Sequence, residues 1–186
     1  MTPLPDSEAL RFRDVHVAFD EGRRPVLAGL TADVSTKELT FIAGASGTGK
    51  SVLCRLAVGL LRPDAGEVTL WGARVDSRPE RELVPLRRKA PYLVQGPALL
   101  DWRTLRQNVW LADPAAAVDD VDAALAQVGL LDWADRLPPE LGPGAKKRTA
   151  IARALVLKPR YLLFDEPTTG LDRKAAGQVE EVLASL

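Results

Sequence analysis

The chain has 186 residues, enough for about one domain and short for two. Its 25 basic and 25 acidic residues leave no net charge, so it lacks the basic excess that neutralises the phosphates of nucleic acid. One cysteine, Cys54, excludes an internal disulfide and favours a reducing compartment, and no apolar stretch reaches the roughly 18 residues of a membrane span. We expect a single domain with no nucleic-acid partner, which reaches a membrane only through another protein.

The first part of the chain predicts antiparallel strands. After a proline-containing tail, residues 10–19 alternate apolar and polar side chains, and residues 26–34 repeat the alternation after a turn. A period of two is typical of half-buried strands. Residues 39–43 form a short apolar run that ends in GASGTGKS, and an apolar segment follows it. This order predicts a buried strand, a tight loop and a buried helix.

The later elements alternate between strands and helices. We predict a turn at 64–66 and a charged helix over 78–89, with strands at 67–71, 91–95 and 161–164. The clearest helix begins at Val118 and ends before Gly129, with its apolar face formed by Val118, Val121, Leu125 and Val128. A second helix covers residues 145–157 before Pro159. Strands that alternate with helices indicate an α/β fold with a largely parallel sheet.

The segment from Gly44 to Ser51 fits the pattern G-x-x-x-x-G-K-[ST] between a predicted strand and a predicted helix. Glycines let the backbone curl so that amide groups point at phosphate oxygens, and the helix dipole adds positive potential. Lys50 can reach the terminal phosphates, and Ser51 can bind Mg²⁺ through its hydroxyl. A glycine-rich turn that only joins strand to helix is the alternative, which the context disfavours.

An acidic pair, Asp165 and Glu166, follows the last apolar run. Beside a phosphate loop, Asp165 is a candidate for holding Mg²⁺ and Glu166 for polarising the attacking water. Without the phosphate loop, the same residues would read as a solvated acidic turn.

Four segments together, GASGTGKS, PYLVQ, LLFDEPTTGLD and KKRTAIARAL, resemble the nucleotide-binding subunit of ABC transporters. The resemblance implies a P-loop NTPase of the ABC ATPase type over residues 1–186, with a mostly parallel sheet, N-terminal antiparallel strands and a helical subdomain at about 96–157. It also implies a second ATPase subunit, because two such subunits enclose two ATP molecules, each between a phosphate loop and the partner's signature motif.

The resemblance also assigns roles to residues. Phe19 matches an aromatic that stacks on adenine, Gln95 matches the Q-loop residue that touches Mg²⁺ and the membrane partner, and Asp172 matches the D-loop aspartate. Alone, Gln95 would be a polar strand end and Phe19 a core residue. The resemblance makes Glu166 catalytic and assigns Mg²⁺ to Ser51, Gln95 and Asp165. It assigns ATP to Phe19, Gly44, Ala45, Ser46, Gly47, Thr48, Gly49, Lys50, Ser51, Val52, Gln95, Gly142, Gly144 and Asp172.

Two segments depart from the family pattern. The signature reads LGPGA instead of LSGGQ, so Gly142 lacks a hydroxyl donor and Pro143 lacks an amide donor. Each lost hydrogen bond to phosphate weakens the ATP sandwich by about 1.5–3 kcal/mol. The family's switch histidine is absent, because the single histidine is His16 and the sequence stops at Leu186, before that strand. We expect either a truncated ATPase, with a gap in its sheet, or a degenerate subunit that a partner completes.

The expected function is ATP hydrolysis that drives a membrane permease from the cytoplasmic face of the inner membrane. Residues 96–110 match the segment that contacts the permease, and Trp102 and Trp110 either serve that contact or pack inside the helical subdomain. GKSVL, QGPALLD and KKR look most like the ATPases of Mla-type importers, which implies lipid transport with an MCE-type binding protein. The alternatives are a subunit that binds ATP without hydrolysis and a soluble ABC ATPase that acts on DNA or ribosomes.

Overall fold

The structure is a computed structural model that describes residues 5–20, 24–45 and 47–186. The chain divides into two compact units, of which the first ends at Tyr92 and the second runs from Leu93 to Leu186. Within the described ranges, no helix is long and apolar enough to cross a membrane.

The first unit contains the predicted antiparallel strands. Its elements are β1 Ala9–Phe19, β2 Arg24–Ser35, α1 Lys50–Ala57, β3 Ala65–Leu70, β4 Ala73–Arg74 and α2 Glu80–Lys89. The strands form one antiparallel sheet in the order β2-β1-β3-β4. The alternation seen in the sequence buries Phe12, Val15 and Val17 of β1. The hairpin prediction is confirmed, and the turn between its strands includes residues outside the described ranges.

The predicted turn at 64–66 is wrong in part, because Ala65 and Gly66 belong to β3. Gly66 has φ +89°, and a Cβ atom there would lie 2.3 Å from the carbonyl oxygen of Asp14. Asp14 itself has φ +48° at an irregularity of β1. A residue with a side chain does not fit where two backbones approach so closely. Gly66 therefore serves here within a strand, although glycine in this sequence context is also typical of a turn.

The predicted buried strand over 39–43 is wrong. This segment is neither strand nor helix, and its apolar side chains are exposed: Leu39 by 66%, Phe41 by 84% and Ile42 by 49%. A buried strand needs a hydrogen-bonded neighbour, and the described strands of the first unit pair only with each other. The helix after the loop is also less buried than predicted, since only Leu56 and Ala57 of α1 are fully covered.

The second unit is mainly helical. Its elements are α3 Leu105–Trp110, α4 Val118–Gln127, α5 Pro143–Leu155, β6 Leu163–Phe164 and α6 Arg173–Ala184, and β6 pairs with the short β5 Tyr92–Leu93. Both strands are shorter than predicted. Helix α5 also ends two residues before the predicted boundary at 157.

One apolar cluster joins α3, α4, α5 and α6 of this unit. The predicted apolar face of α4 is confirmed for Val121, Leu125 and Val128, but Val118 is 46% exposed. Val118 is exposed because it is the first residue of α4, at the N-terminal end of the helix. Ala124, in the interior of the helix, is buried instead. Gly129, with φ +66°, ends α4 as predicted: its N–H donates to Ala126, and that of the next residue to Leu125, in a Schellman motif.

A buried carboxylate predicts acid sensitivity of the first unit. Asp76 accepts hydrogen bonds from Arg74 Nε at 2.9 Å and from the Val68 N–H at 3.0 Å, and its side chain is 8% exposed. Burial by itself would raise the pKa of Asp76, but these hydrogen bonds stabilise the carboxylate and hold its pKa below the ordinary value. Because the folded-state pKa is lowered, this contribution to stability is present above about pH 3.9 and is lost as the pH falls below it.

We therefore expect Asp76→Ala to lower the free energy of unfolding at pH 7 by about 1–3 kcal/mol, because the Val68 amide loses its acceptor and Arg74 keeps only its bond to Glu67. Urea unfolding between pH 7 and pH 3 measures this. The loss caused by the substitution shrinks at the acid end, because the unfolded carboxylate takes up a proton there while the native one is still held in its charged form. A loss that stays constant across this range would contradict the assignment.

Candidate nucleotide-binding site

The phosphate loop lies in the first unit and curls as the sequence predicts. Gly47 and Gly49 have φ +79° and +97°, a conformation that glycine adopts without strain. A Cβ atom at Gly49 would lie 2.9 Å from Val26 Cγ1, whereas one at Gly47 would meet no described atom within 4 Å beyond its chain neighbours. Among the described residues, open space therefore lies beside the backbone at Gly47, which a phosphate group requires. Ser46, also predicted to contact ATP, lies outside the described residues.

Two side chains of the loop bind its own carbonyl groups. Lys50 Nζ donates to the carbonyl oxygens of Gly44 and Ala45, each at 2.9 Å, and Thr48 Oγ1 donates to Ala45 at 2.8 Å. The Lys50 ammonium therefore lies at the start of the loop. It brings positive charge to the backbone that is predicted to cradle phosphate.

Helix α1 begins at Lys50, and its N-cap Gly49 makes no side-chain hydrogen bond. The first N–H groups of α1 carry the positive end of the helix dipole, which therefore lies at the phosphate loop. Ser51 and Val52 lie in this first turn and are half-buried. The curled glycines, the ammonium group and the start of α1 all suit a polyphosphate.

The acidic pair lies in the second unit at the end of β6. The N–H of Asp165 donates to the Leu93 carbonyl at 3.0 Å, and Asp165 is 8% exposed. Glu166 has φ +50°, a left-handed conformation that is uncommon for a residue with a side chain. Such conformations persist only where the surroundings enforce them, and they concentrate at functional sites.

Several side chains converge on Glu166. Gln95 Nε2 donates to Glu166 Oε2 at 3.4 Å, and Thr169 Oγ1 donates to the same oxygen at 3.1 Å. Lys147 Nζ donates to the backbone carbonyl of Glu166 at 3.1 Å. The structure thus brings together two predicted site residues, Gln95 and Glu166. No role was predicted for Lys147 or Thr169, since neither contact has a local signal in the sequence.

The signature segment begins α5, and the helix forms despite the proline. Gly142 is the exposed N-cap, and Pro143 occupies the first helical position, where a missing N–H is tolerated. Gly144 is buried, and a Cβ atom there would lie 2.8 Å from the Ala175 Cβ on α6. Asp172 caps α6, because its carboxylate accepts from the N–H of Ala175 at 2.8 Å.

The segment after Gln95 is held in place by two side chains. Arg153 of α5 donates to the carbonyls of Pro97 and Ala98 at 2.9 and 2.7 Å. Asn108 is fully buried and bonds the backbone of Leu100 through both its oxygen and its nitrogen. These contacts fix the path of the chain that presents Trp102.

The aromatic residues singled out in the sequence differ in their exposure. Phe19 is 39% exposed at the end of β1, so it is not a core residue. Trp102 is 73% exposed, whereas Trp110 packs against the apolar core of the second unit. His16 lies on β1 with Nε2 at 3.0 Å from Asp14 Oδ1, and Cys54 is half-buried.

Comparison with known proteins identifies the family of this ATP-binding fold. The ABC transporter family model matches residues 27–169. The chain is 40% identical over 172 residues to an aliphatic sulfonates import ATP-binding protein of Xanthomonas axonopodis, covering 89% of this chain and 65% of that protein. It is 41% identical over 169 residues to the cell division ATP-binding protein of Escherichia coli, covering 88% and 76%. The chain belongs to the ABC transporter family, as one of its ATP-binding domains.

Solved structures agree with the family assignment. A subunit of an ABC transporter complex from Clostridium perfringens has a TM-score of 0.85 and 27% identity, over 96% of this chain and 73% of that chain. A dimeric ATP-binding cassette bound to ADP and phosphate has a TM-score of 0.83 and 26% identity, over 95% and 82%. The α/β fold of the ABC ATPase type, with its N-terminal antiparallel strands, is therefore confirmed.

The contact between Gly144 and Ala175 predicts a compensating pair of substitutions. Gly144→Ala inserts a methyl group where 2.8 Å is available and should destabilise the second unit by about 1–3 kcal/mol. Ala175→Gly removes the opposing methyl group and should cost up to about 1 kcal/mol by itself. Urea unfolding of the single and double variants should give a double-variant loss smaller than the sum. Strict additivity would contradict the packing contact.

Proposed function

We propose that the chain binds ATP at its phosphate loop and hydrolyses it as a subunit of an ABC transporter. The observation that carries this proposal is the curled backbone at Gly47 and Gly49, with open space beside Gly47 and the Lys50 ammonium at the loop. Family membership supports the same role. The proposal covers the chain as a single ATP-binding domain with a helical subdomain at about 96–157.

The chemistry assigns separate tasks to the two motifs. The loop amides and Lys50 bind phosphate oxygens, Phe19 stacks on the base, and Glu166 orients and polarises the attacking water. Mg²⁺, held by Ser51, Gln95 and Asp165, would neutralise charge that develops on the phosphates. The hydrogen bonds from Gln95 and Thr169 support the role of Glu166, because they fix the orientation of its carboxylate.

The permease is the proposed membrane partner, and a second ATPase subunit completes each nucleotide site. The exposed Trp102, on a segment held by Arg153 and Asn108, supports a protein contact there. The relatives are named as import and cell-division ATP-binding proteins. We propose that the chain acts at the cytoplasmic face of the membrane, bound through the permease.

Lipid is the proposed cargo, delivered by an MCE-type binding protein. This rests on the resemblance of GKSVL, QGPALLD and KKR to Mla-type ATPases. The named relatives handle other cargo, namely aliphatic sulfonates, octopine and methionine. Copurification of the chain with its permease and an assay of phospholipid transfer between vesicles test the proposal. A transfer rate that is the same with and without ATP, and the same for the Lys50→Ala variant, would count against it.

A second function is ATP binding without turnover, and a specific observation favours it. Gly142 caps α5 without a side-chain donor, and Pro143 brings no N–H to the helix start. Both changes remove groups that would bind a partner's γ-phosphate. ATP binding and turnover must therefore be measured separately.

We predict that Mg-ATP raises the unfolding temperature of the chain. A ligand at 100 times its dissociation constant adds about 2.7 kcal/mol to the free energy of unfolding. Lys50→Ala should remove most of this shift, whereas Glu166→Gln should retain it and slow phosphate release to a small residual rate. Thermal unfolding and a phosphate-release assay on the three proteins measure both effects. A shift in Glu166→Gln without any turnover in the unmodified chain would establish the second function.

We also predict that the altered signature weakens the ATP-bound dimer. The Glu166→Gln variant should stay monomeric with Mg-ATP in analytical ultracentrifugation. Adding Gly142→Ser and Pro143→Gly should promote the dimer, since each restored hydrogen bond to phosphate contributes about 1.5–3 kcal/mol. A tight ATP-dependent dimer of Glu166→Gln alone would refute this prediction.

A further inference from the structure

The backbone of Glu166 needs an external constraint. Its φ of +50° places a residue with a side chain in the left-handed region. This conformation costs free energy, so neighbouring groups must hold it. The direction of the Glu166 carboxylate depends on this backbone, because the side chain leaves from the same Cα atom.

Two donors hold the main-chain carbonyl of Glu166. The N–H of Thr169 donates to it at 3.3 Å within the turn, and Lys147 Nζ donates at 3.1 Å from α5. The lysine bond comes from outside the turn and carries a charge, which strengthens it relative to a neutral donor. Lys147 thus connects the turn at Glu166 to α5, a helix that is separate from that turn.

Helix α5 is a rigid support for this bond. Ala145, Thr149, Ile151 and Ala152 of the helix are buried, so the Lys147 backbone is fixed by packing on either side. Burial lowers the pKa of Lys147, and the carboxylates of Glu166 and Asp165 act in the opposite direction. A partly buried ammonium on a fixed helix can hold the carbonyl in one place.

We infer that Lys147 is a positioning residue for Glu166, which holds its left-handed backbone so that the carboxylate faces the attacking water. This rests on the proposed role of Glu166 in hydrolysis. Lys147 touches the main chain of Glu166 and not the reacting atoms, so it acts through that residue. Because its bond is to a carbonyl, the bond survives when the Glu166 carboxylate is replaced by an amide.

The chain offers matched variants. Lys147→Met keeps the unbranched side chain up to the position of Cε and removes the donor, Lys147→Gln keeps a neutral donor, and Lys147→Arg keeps the charge. The control is Lys146→Met, one residue earlier on α5; among the described residues its side chain has no hydrogen bond or ion pair.

We expect Lys147→Met to lower kcat about ten- to a hundredfold, because a misplaced catalytic group costs rate of that order. KM for ATP should change less than threefold. Lys147→Arg should recover most of kcat, and Lys146→Met should match the unmodified chain. In the Glu166→Gln background, Lys147→Met should cause no further loss of residual turnover. An equal loss in that background, or a kcat within twofold of the unmodified chain, would overturn the inference.

A second readout needs no turnover. Backbone carbon chemical shifts of Glu166 in uniformly ¹³C-labelled protein report its φ and ψ, and Lys147→Met should move them away from the left-handed values. If the unmodified chain turns over no faster than Lys50→Ala, proposed hydrolysis fails and these shifts decide the inference alone. Unchanged shifts in Lys147→Met would overturn it. Unfolding of both Lys147→Met and Lys147→Gln would also overturn it, since the residue would then be needed for folding.

Discussion

Helix α5 carries the interactions on which the second unit depends. Its basic side chains donate to the carbonyl groups of three separate loops: Lys147 to Glu166, Arg148 to Val128, and Arg153 to Pro97 and Ala98. Loop carbonyls that leave water need such partners, since an unpaired buried carbonyl is costly. The loops that carry Gln95 and Glu166 are therefore both hydrogen-bonded to the same helix, α5.

This arrangement places the signature segment and the acidic cluster on a common support. The signature begins α5, and Gly144 lets α6 approach so closely that a Cβ atom at this position would lie 2.8 Å from the Ala175 Cβ. Asp172, which ends the segment that follows Glu166, is the N-cap of α6. A movement of α5 would act on the Glu166 carbonyl through Lys147, on the segment after Gln95 through Arg153, and on α6 through direct packing.

The first unit follows a different constraint, the close approach of backbones at glycine. Gly66 lies under the carbonyl of Asp14, and Gly49 lies against Val26. Neither position has room for a Cβ atom. Gly66 lies in the sheet, and Gly49 lies in the phosphate loop. The exposed apolar segment over 39–43 precedes this loop, and its side chains are what a buried strand would carry.

The sequence by itself determined the features that are local. The glycine pattern and Lys50 identified the phosphate loop, the alternation over 10–19 and 26–34 identified the hairpin, and the apolar spacing identified α4. Tertiary structure decided what depends on distant neighbours. Residues 39–43 have strand composition, but burial requires a paired strand, which no local pattern supplies. The bond from Lys147 to Glu166 spans 19 residues and appears only once α5 lies against the turn that follows β6, because a lysine on a helix carries no signal of the carbonyl it will meet.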